Sequence, residues 1–193
     1  MDAPAMLNDR SSALALLLSR RSGKARDLGP PGPTLEELAT ILKAAIRVPD
    51  HGKLAPWRFV VVERRAALAE RIESLYLADK GGEAGRLERQ ALRDFVHQAP
   101  TLVVALSLPK PSAIPEWEQQ LSMGAAIAHL LLAAHALGYV GNWLTGPAAY
   151  LPGVAEELGV PGGRIAGFLF LGRATRPLEE RPRPSPDDVI LHY

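Results

Sequence analysis

Leu121-Ser122-Met123-Gly124-Ala125-Ala126-Ile127-Ala128-His129-Leu130-Leu131-Leu132-Ala133-Ala134-His135-Ala136-Leu137-Gly138-Tyr139-Val140 is the run on which the fold turns. It is close to the length that a bilayer requires, about 20 apolar residues. A helix that is apolar all round is equally the buried centre of a globular domain. Two histidines and several small residues interrupt the run, and Trp117-Glu118-Gln119-Gln120 leads into it as one continuous helical pattern. No second span or flanking basic loop supports insertion. The run therefore reads as a core or interface helix, with no membrane partner.

Past this helix, Gly138-Tyr139-Val140-Gly141-Asn142-Trp143 reads as a strand leaving a glycine turn, Val154–Leu158 as a short helix and Ile165–Leu171 as a strand closed by Gly172. The tail Pro177–Asp188 is rich in Pro, Arg and acids and ends in the β-prone Val189-Ile190-Leu191. Before it, Thr101–Leu108 is a strand bounded by Pro100 and Pro109, and Trp57–Val62 is another. Charged helices over Ala66–Ala78 and Arg86–His97 lie between these strands, separated by Asp79-Lys80-Gly81-Gly82. Thr34-Leu35-Glu36-Glu37 has capping-box spacing and opens a helix through Ile46, which Pro49 ends. Gly29-Pro30-Pro31-Gly32-Pro33 is a stiff connector, and Ser11–Arg20 is a helix capped by Ser11 or Ser12. With no repeat and no linker, the pattern predicts a single α+β domain over residues 1–193 around one sheet. Residues 1–10 are expected to be flexible.

A chain of 193 residues supports one substantial core. A net charge of +1 opposes a nucleic-acid footprint, which needs a whole basic face. The absence of cysteine excludes disulfides, thiolate zinc sites and cysteine nucleophiles. It also fits a cytoplasmic protein, as does a start, Met1-Asp2-Ala3-Pro4, without the basic and apolar regions of a signal peptide.

Three basic clusters carry the chemistry. Arg20-Arg21-Ser22-Gly23-Lys24 sets three cations and a hydroxyl beside the apolar run Leu14–Leu18; Arg forks match phosphate oxygens and Lys adds a point charge. The same residues also fit a solvated helix end. Arg47-Val48-Pro49-Asp50-His51-Gly52-Lys53 packs cations, a carboxylate and an imidazole into a turn before a strand. Arg181 and Arg183, two apart in a proline-stiffened segment, send both guanidiniums to one side. His129 and His135 are six apart and fall on different faces of a helix, so no metal is expected. No Walker loop, G-x-G-x-x-G, G-x-S-x-G or carboxylate dyad is present, and no catalytic side chain is assigned.

Taken in order, Arg20-Arg21-Ser22-Gly23-Lys24, Arg47-Val48-Pro49-Asp50-His51, Pro56-Trp57-Arg58-Phe59, Trp117-Glu118-Gln119, Gly141-Asn142-Trp143 and Gly167-Phe168-Leu169-Phe170-Leu171-Gly172 resemble the nitroreductase family of FMN-dependent oxidoreductases, especially its short bacterial members. The resemblance implies a mainly antiparallel sheet flanked by helices. It also implies an intertwined homodimer that binds FMN at its interface, with the tail 177–193 reaching the partner. Arg20, Arg21 and Ser22 would meet the phosphate, ribityl chain and pyrimidine edge, and Lys24 the flavin N1 and C2 carbonyl. Arg47, His51 and Lys53 would approach from the other subunit, Trp143, Leu144 and Thr145 would line the ring, and Arg181 and Arg183 would hold the phosphate. Ala55 stands where relatives carry Gln, and Leu144 where some carry Arg. The implied activity is hydride transfer from NAD(P)H through FMN to a nitroaromatic, quinone or other electron-poor small molecule. The alternatives are another FMN reaction, such as dehydrogenation, dehalogenation or flavin breakdown, or a flavin-binding dimer without turnover.

Overall fold

The computed structural model describes residues 6–193. Its elements in chain order are helix α1 (Ala13–Ser19), strand β1 (Leu28–Gly29), helix α2 (Leu35–Ala45), strand β2 (Trp57–Val61), helix α3 (Arg65–Asp79), helix α4 (Arg86–Phe95), strand β3 (Thr101–Ser107), helix α5 (Glu116–Ala136), strand β4 (Val140–Leu144), helix α6 (Val154–Glu157), strand β5 (Arg164–Ala174) and helix α7 (Pro186–Val189). Every pairing among these strands is antiparallel, in the order β2-β3-β5-β4, with β1 joining β5 at Arg173 and Ala174.

The period of two in β3 and β5 divides the core into two layers. Leu102, Val104 and Leu106 share one face with Phe168 and Phe170, covered by α3, α4 and α6 through residues such as Ile72, Leu92 and Val154. Val103, Ala105, Leu169 and Leu171 face the other way, onto α2 and α5. Burial on both faces is why these strands read as unbroken apolar runs. Phe95, at the end of α4, meets the rings of Phe168 and Phe170 edge-on at 5.0 and 5.6 Å.

Helix α5 buries one stripe only. Met123, Ala126, Ile127, Leu130, Leu131 and Ala134 recur at three- and four-residue spacing against the sheet. Trp117 and Leu121 on the same helix are exposed, as are Leu14, Leu17 and Leu18 on α1. Among the described residues, no helix is long and apolar enough to cross a membrane.

Helices α3 and α4 are clamped by a carboxylate. Glu73 accepts from Nε of Arg89 at 2.6 Å and from Nη1 of Arg93 at 2.7 Å. Hydrogen bonds from Arg93 and then Arg89 hold Glu73 below the usual carboxylate range. A depressed folded value stabilises the protein above the unfolded value, and that stability is lost as pH falls through the folded one. Glu73→Gln is therefore expected to lower the melting temperature at pH 7 and to flatten its fall below about pH 4.3, the ordinary Glu range. Thermal melts of both chains from pH 3 to 7 check this.

Three expectations are corrected. The first helix ends at Ser19, because Arg20 leaves helical angles at φ −58°, ψ 123°; residues 20–24 are an irregular segment and not a helix end. The proline connector begins inside a strand, since Gly29 pairs with Arg173. Val189–Leu191 forms no strand: Ser185 and Asp188 make a capping box with Pro186 in the first turn, and the helix takes in Val189.

Of the segment expected to be flexible, residues 1–5 lie outside the described residues. Asn8 is held by Arg21, accepting from its N–H at 2.7 Å and donating to its carbonyl at 3.1 Å. The N–H of Asp9 donates to Ser19 Oγ at 2.8 Å.

Candidate functional site

Residues 20–24 are fastened to the core from below. A side chain at Gly23 would come within 2.9 Å of Leu28 and 3.1 Å of Val140, so only glycine lets the segment lie this close. The Gly23 carbonyl accepts from the amide of Asn142 in β4. With the backbone fixed, the side chains of Arg20, Arg21, Ser22 and Lys24 are left to work above it.

The tail completes the cluster. Arg21 Nε donates to the Glu179 carbonyl at 2.6 Å, and Arg183 Nη2 donates to the Arg20 carbonyl at 3.3 Å. Arg20 Nη1 donates to Ser22 Oγ at 3.0 Å. Burial first, then the charges of Arg183, Arg181 and Arg21, push Arg20 below its ordinary value, while Glu180 opposes them. Glu180 accepts from Arg183 at 3.1 Å and lies 4.0 Å from Arg21 Nε. Four guanidiniums around one carboxylate repel one another and favour a further anion, and paired forks suit phosphate oxygens. Beside them a cleft of about 300 Å³ is lined by Ser22, Lys24, Asp27, Arg176, Leu178 and Glu179.

Trp143 and Leu144 end β4, and Thr145 follows it. Leu144 packs into the core. Trp143 is 43% exposed, donates from Nε1 to the Ala166 carbonyl at 2.9 Å, and lies across Gly167, where a Cβ would meet the indole at 2.1 Å.

The Arg47–Lys53 turn stands elsewhere. His51 Nδ1 lies 2.7 Å from Glu118 Oε2 in the first turn of α5, and Arg47 and Lys53 are exposed. The Arg20 segment instead meets the other end of α5, where the Arg21 carbonyl faces His135 Nε2 at 3.2 Å. Glu118 and His135 are 17 positions apart, about 25 Å along a helix. One chain therefore does not bring Arg47, His51 and Lys53 to the Arg20 cluster. Both Asp50 oxygens are engaged by backbone, the N–H groups of Leu54 at 3.1 Å and Ala55 at 2.8 Å, so Asp50 shapes the turn and is no base for His51. Among the described residues, no group of acids and histidines could hold a metal.

A family model described as the nitroreductase family matches residues 17–173. That span holds the sheet, α5 and the segment 20–24. The chain belongs to the nitroreductase family. Within it, the chain is 36% identical over 165 residues, 83% of its length, to YdjA of Escherichia coli (strain K12), named provisionally as an NAD(P)H nitroreductase, and covers 87% of that protein. Among solved structures, a nitroreductase-like family protein from Bacillus cereus superposes with a TM-score of 0.78 at 22% identity, with 95% of this chain and 96% of that one covered. An iodotyrosine deiodinase bound to FMN and 3-iodo-L-tyrosine superposes with a TM-score of 0.67 at 25% identity, covering 94% and 98%. These likenesses agree with the antiparallel sheet flanked by helices seen here.

Four site residues lie outside the basic motifs. Asn8 and Asn142 brace the 20–24 segment, Glu180 supplies the carboxylate, and His135 abuts Arg21 from beneath. Glu180 adjoins Arg181 in sequence and could have been found there. Nothing in the pattern around Asn8 or Asn142 marks either as a brace.

Proposed function

We propose that this chain is an FMN-dependent oxidoreductase that takes hydride from NAD(P)H and reduces a nitroaromatic, quinone or similar electron-poor acceptor. The observation that carries the reading is the guanidinium cluster built from both ends of the chain, above a cleft edged by Lys24. Its relatives' names and the FMN bound in the deiodinase support the same cofactor. A bound FMN would supply the hydride and electron chemistry between the nicotinamide and the acceptor, so the protein's part is binding and electrostatics. Arg20, Arg21, Arg181 and Arg183 would hold the phosphate, with Ser22 donating beside them. Lys24 would face the pyrimidine edge, where reduction places negative charge that a fixed cation stabilises.

Homodimerisation belongs to the same proposal. The uncovered side of α5 and α1 forms an apolar groove of about 330 Å³ lined by residues including Leu16, Leu17, His129, Leu132 and Ala136. Apolar surface of this kind marks an interface. A second copy is also what would carry Arg47, His51 and Lys53 to a site they do not complete within their own chain, while the end of the tail 177–193, past Arg183, would reach the partner. A cytoplasmic location, where NAD(P)H is at hand, belongs to the same proposal.

An anaerobic visible spectrum of FMN-loaded protein, before and after NADPH or NADH, tests the activity. Bleaching of the flavin, followed by recovery on adding a nitroarene or quinone, is expected. No bleaching with either nucleotide defeats the hydride-transfer reading and leaves a flavin-binding dimer. Lys24→Ala is expected to lower the flavin midpoint potential while most FMN stays bound; an unchanged potential removes Lys24 from the ring. The second reading is another reaction on the same cofactor, favoured by the likeness to a deiodinase. A panel of nitro, quinone and halogenated aromatic substrates separates the two.

A further inference from the structure

His135 is buried at 0% exposure, and each ring nitrogen faces a carbonyl oxygen. Nδ1 lies 2.6 Å from the carbonyl of Leu131, one turn back in α5, and Nε2 lies 3.2 Å from the carbonyl of Arg21. Two acceptors call for two N–H donors, and only imidazolium has both. The neutral ring satisfies one carbonyl and turns a lone pair towards the other. The shorter contact assigns its proton to Nδ1, so the unsatisfied face is the one towards Arg21. The same Arg21 carbonyl accepts from Asn8, while the Arg21 N–H is taken by Asn8. His135 therefore touches the backbone of the anion-binding segment itself.

Burial, and then the Arg20 charge, keep the ring below its ordinary value, while the two carbonyls pull it upward. Of the elements packed on it, α5 contributes the uncharged Leu131, β4 contributes Gly141, and the 20–24 segment contributes Arg20. Arg20 is also a member of the guanidinium cluster. An anion seated there offsets the charge that opposes protonation of His135.

We infer that His135 is a proton-linked positioning residue: a phosphate group bound at the Arg20–Arg183 cluster is accompanied by proton uptake on His135, which then donates to both carbonyls and fixes Arg21 beneath the phosphate. The inference rests on the FMN reading for the identity of the ligand, and on the His135 geometry for the linkage. By reciprocity, the phosphate raises the basicity of His135 as much as the His135 proton raises phosphate affinity.

Two measurements on the full chain test it. FMN affinity is titrated from pH 5.5 to 8 in the wild type and in His135→Gln, whose amide keeps one donor and does not ionise. Titration of the phosphate itself is common to both chains and cancels in the ratio. The ratio of variant to wild-type Kd is expected to rise about threefold or more from pH 8 to pH 5.5, because only the wild type gains affinity by taking up the proton. A flat ratio overturns the proposal. Nitrogen chemical shifts of the His135 ring are followed against pH with and without FMN, and separately with inorganic phosphate; the wild type alone suffices here if the variant does not fold. A midpoint raised by both ligands supports the linkage. A midpoint raised by phosphate while FMN does not bind keeps the linkage and removes the flavin. One unmoved by either ligand overturns it.

Discussion

Arg20→Ala is expected to raise the Kd for FMN about tenfold to a hundredfold, because a charge-assisted hydrogen bond contributes roughly 1.5–3 kcal/mol. Arg20, like Arg21, is half-buried, and its side chain is already oriented by Ser22. It also feels the repulsion of Arg21, Arg181 and Arg183, which a phosphate relieves. Arg183→Ala acts in the same direction but less, since Arg183 is more exposed and already partnered by Glu180. Riboflavin, which lacks the phosphate, is the control: its weaker binding should not respond to either substitution. An equal loss for both flavins would put Arg20 against the ring and remove it from the phosphate.

The second large effect is on stability. Phe168→Ala is expected to cost about 3–5 kcal/mol, the usual range for emptying a buried phenylalanine. For a chain of this size that is a melting temperature lower by about 6–20 °C. Phe168 is fully buried between β3 and β4 and receives the edge of Phe95 at 5.0 Å. Phe95 also supports Gly146, where an added Cβ would sit 3.4 Å from its ring, so the cavity opens beneath the end of β4. Denaturant melts of wild type and variant measure the loss; a change under 1 kcal/mol would contradict a tightly packed layer here.

Much of the fold was legible because two-sided burial leaves a plain mark. Leu102–Leu106 and Phe168–Leu171 alternate between two covered faces, so both read as apolar runs of strand length. The capping box at Thr34 and Glu37 was readable too, being a local contact. What escaped was set by distant partners. The two-residue strand at Leu28 exists because Ala174 lies opposite it, and Val189 lies in the short helix that Ser185 and Asp188 cap. Within the site, the arginines announced themselves by charge. His135 did not, since its meaning lies in the carbonyl of a residue 114 positions away. Arg47, His51 and Lys53 were legible as a cluster, but a single chain leaves them at the opposite end of α5.

Strand β5 holds hydrogen bonds to β1, β3 and β4, yet it begins only at residue 164 of 193. On the ribosome, α2, α3 and α5 are made before the strand that anchors their apolar sides has emerged. Pairing across such sequence distances is slow and leaves sticky surface in the interim. Arg181 and Arg183 come later still, so the guanidinium cluster is complete only after the whole sheet has been made. A chain cut short before residue 181 would lack two of the four guanidiniums of the cluster, and one cut before 164 would leave its helices with nothing to close over.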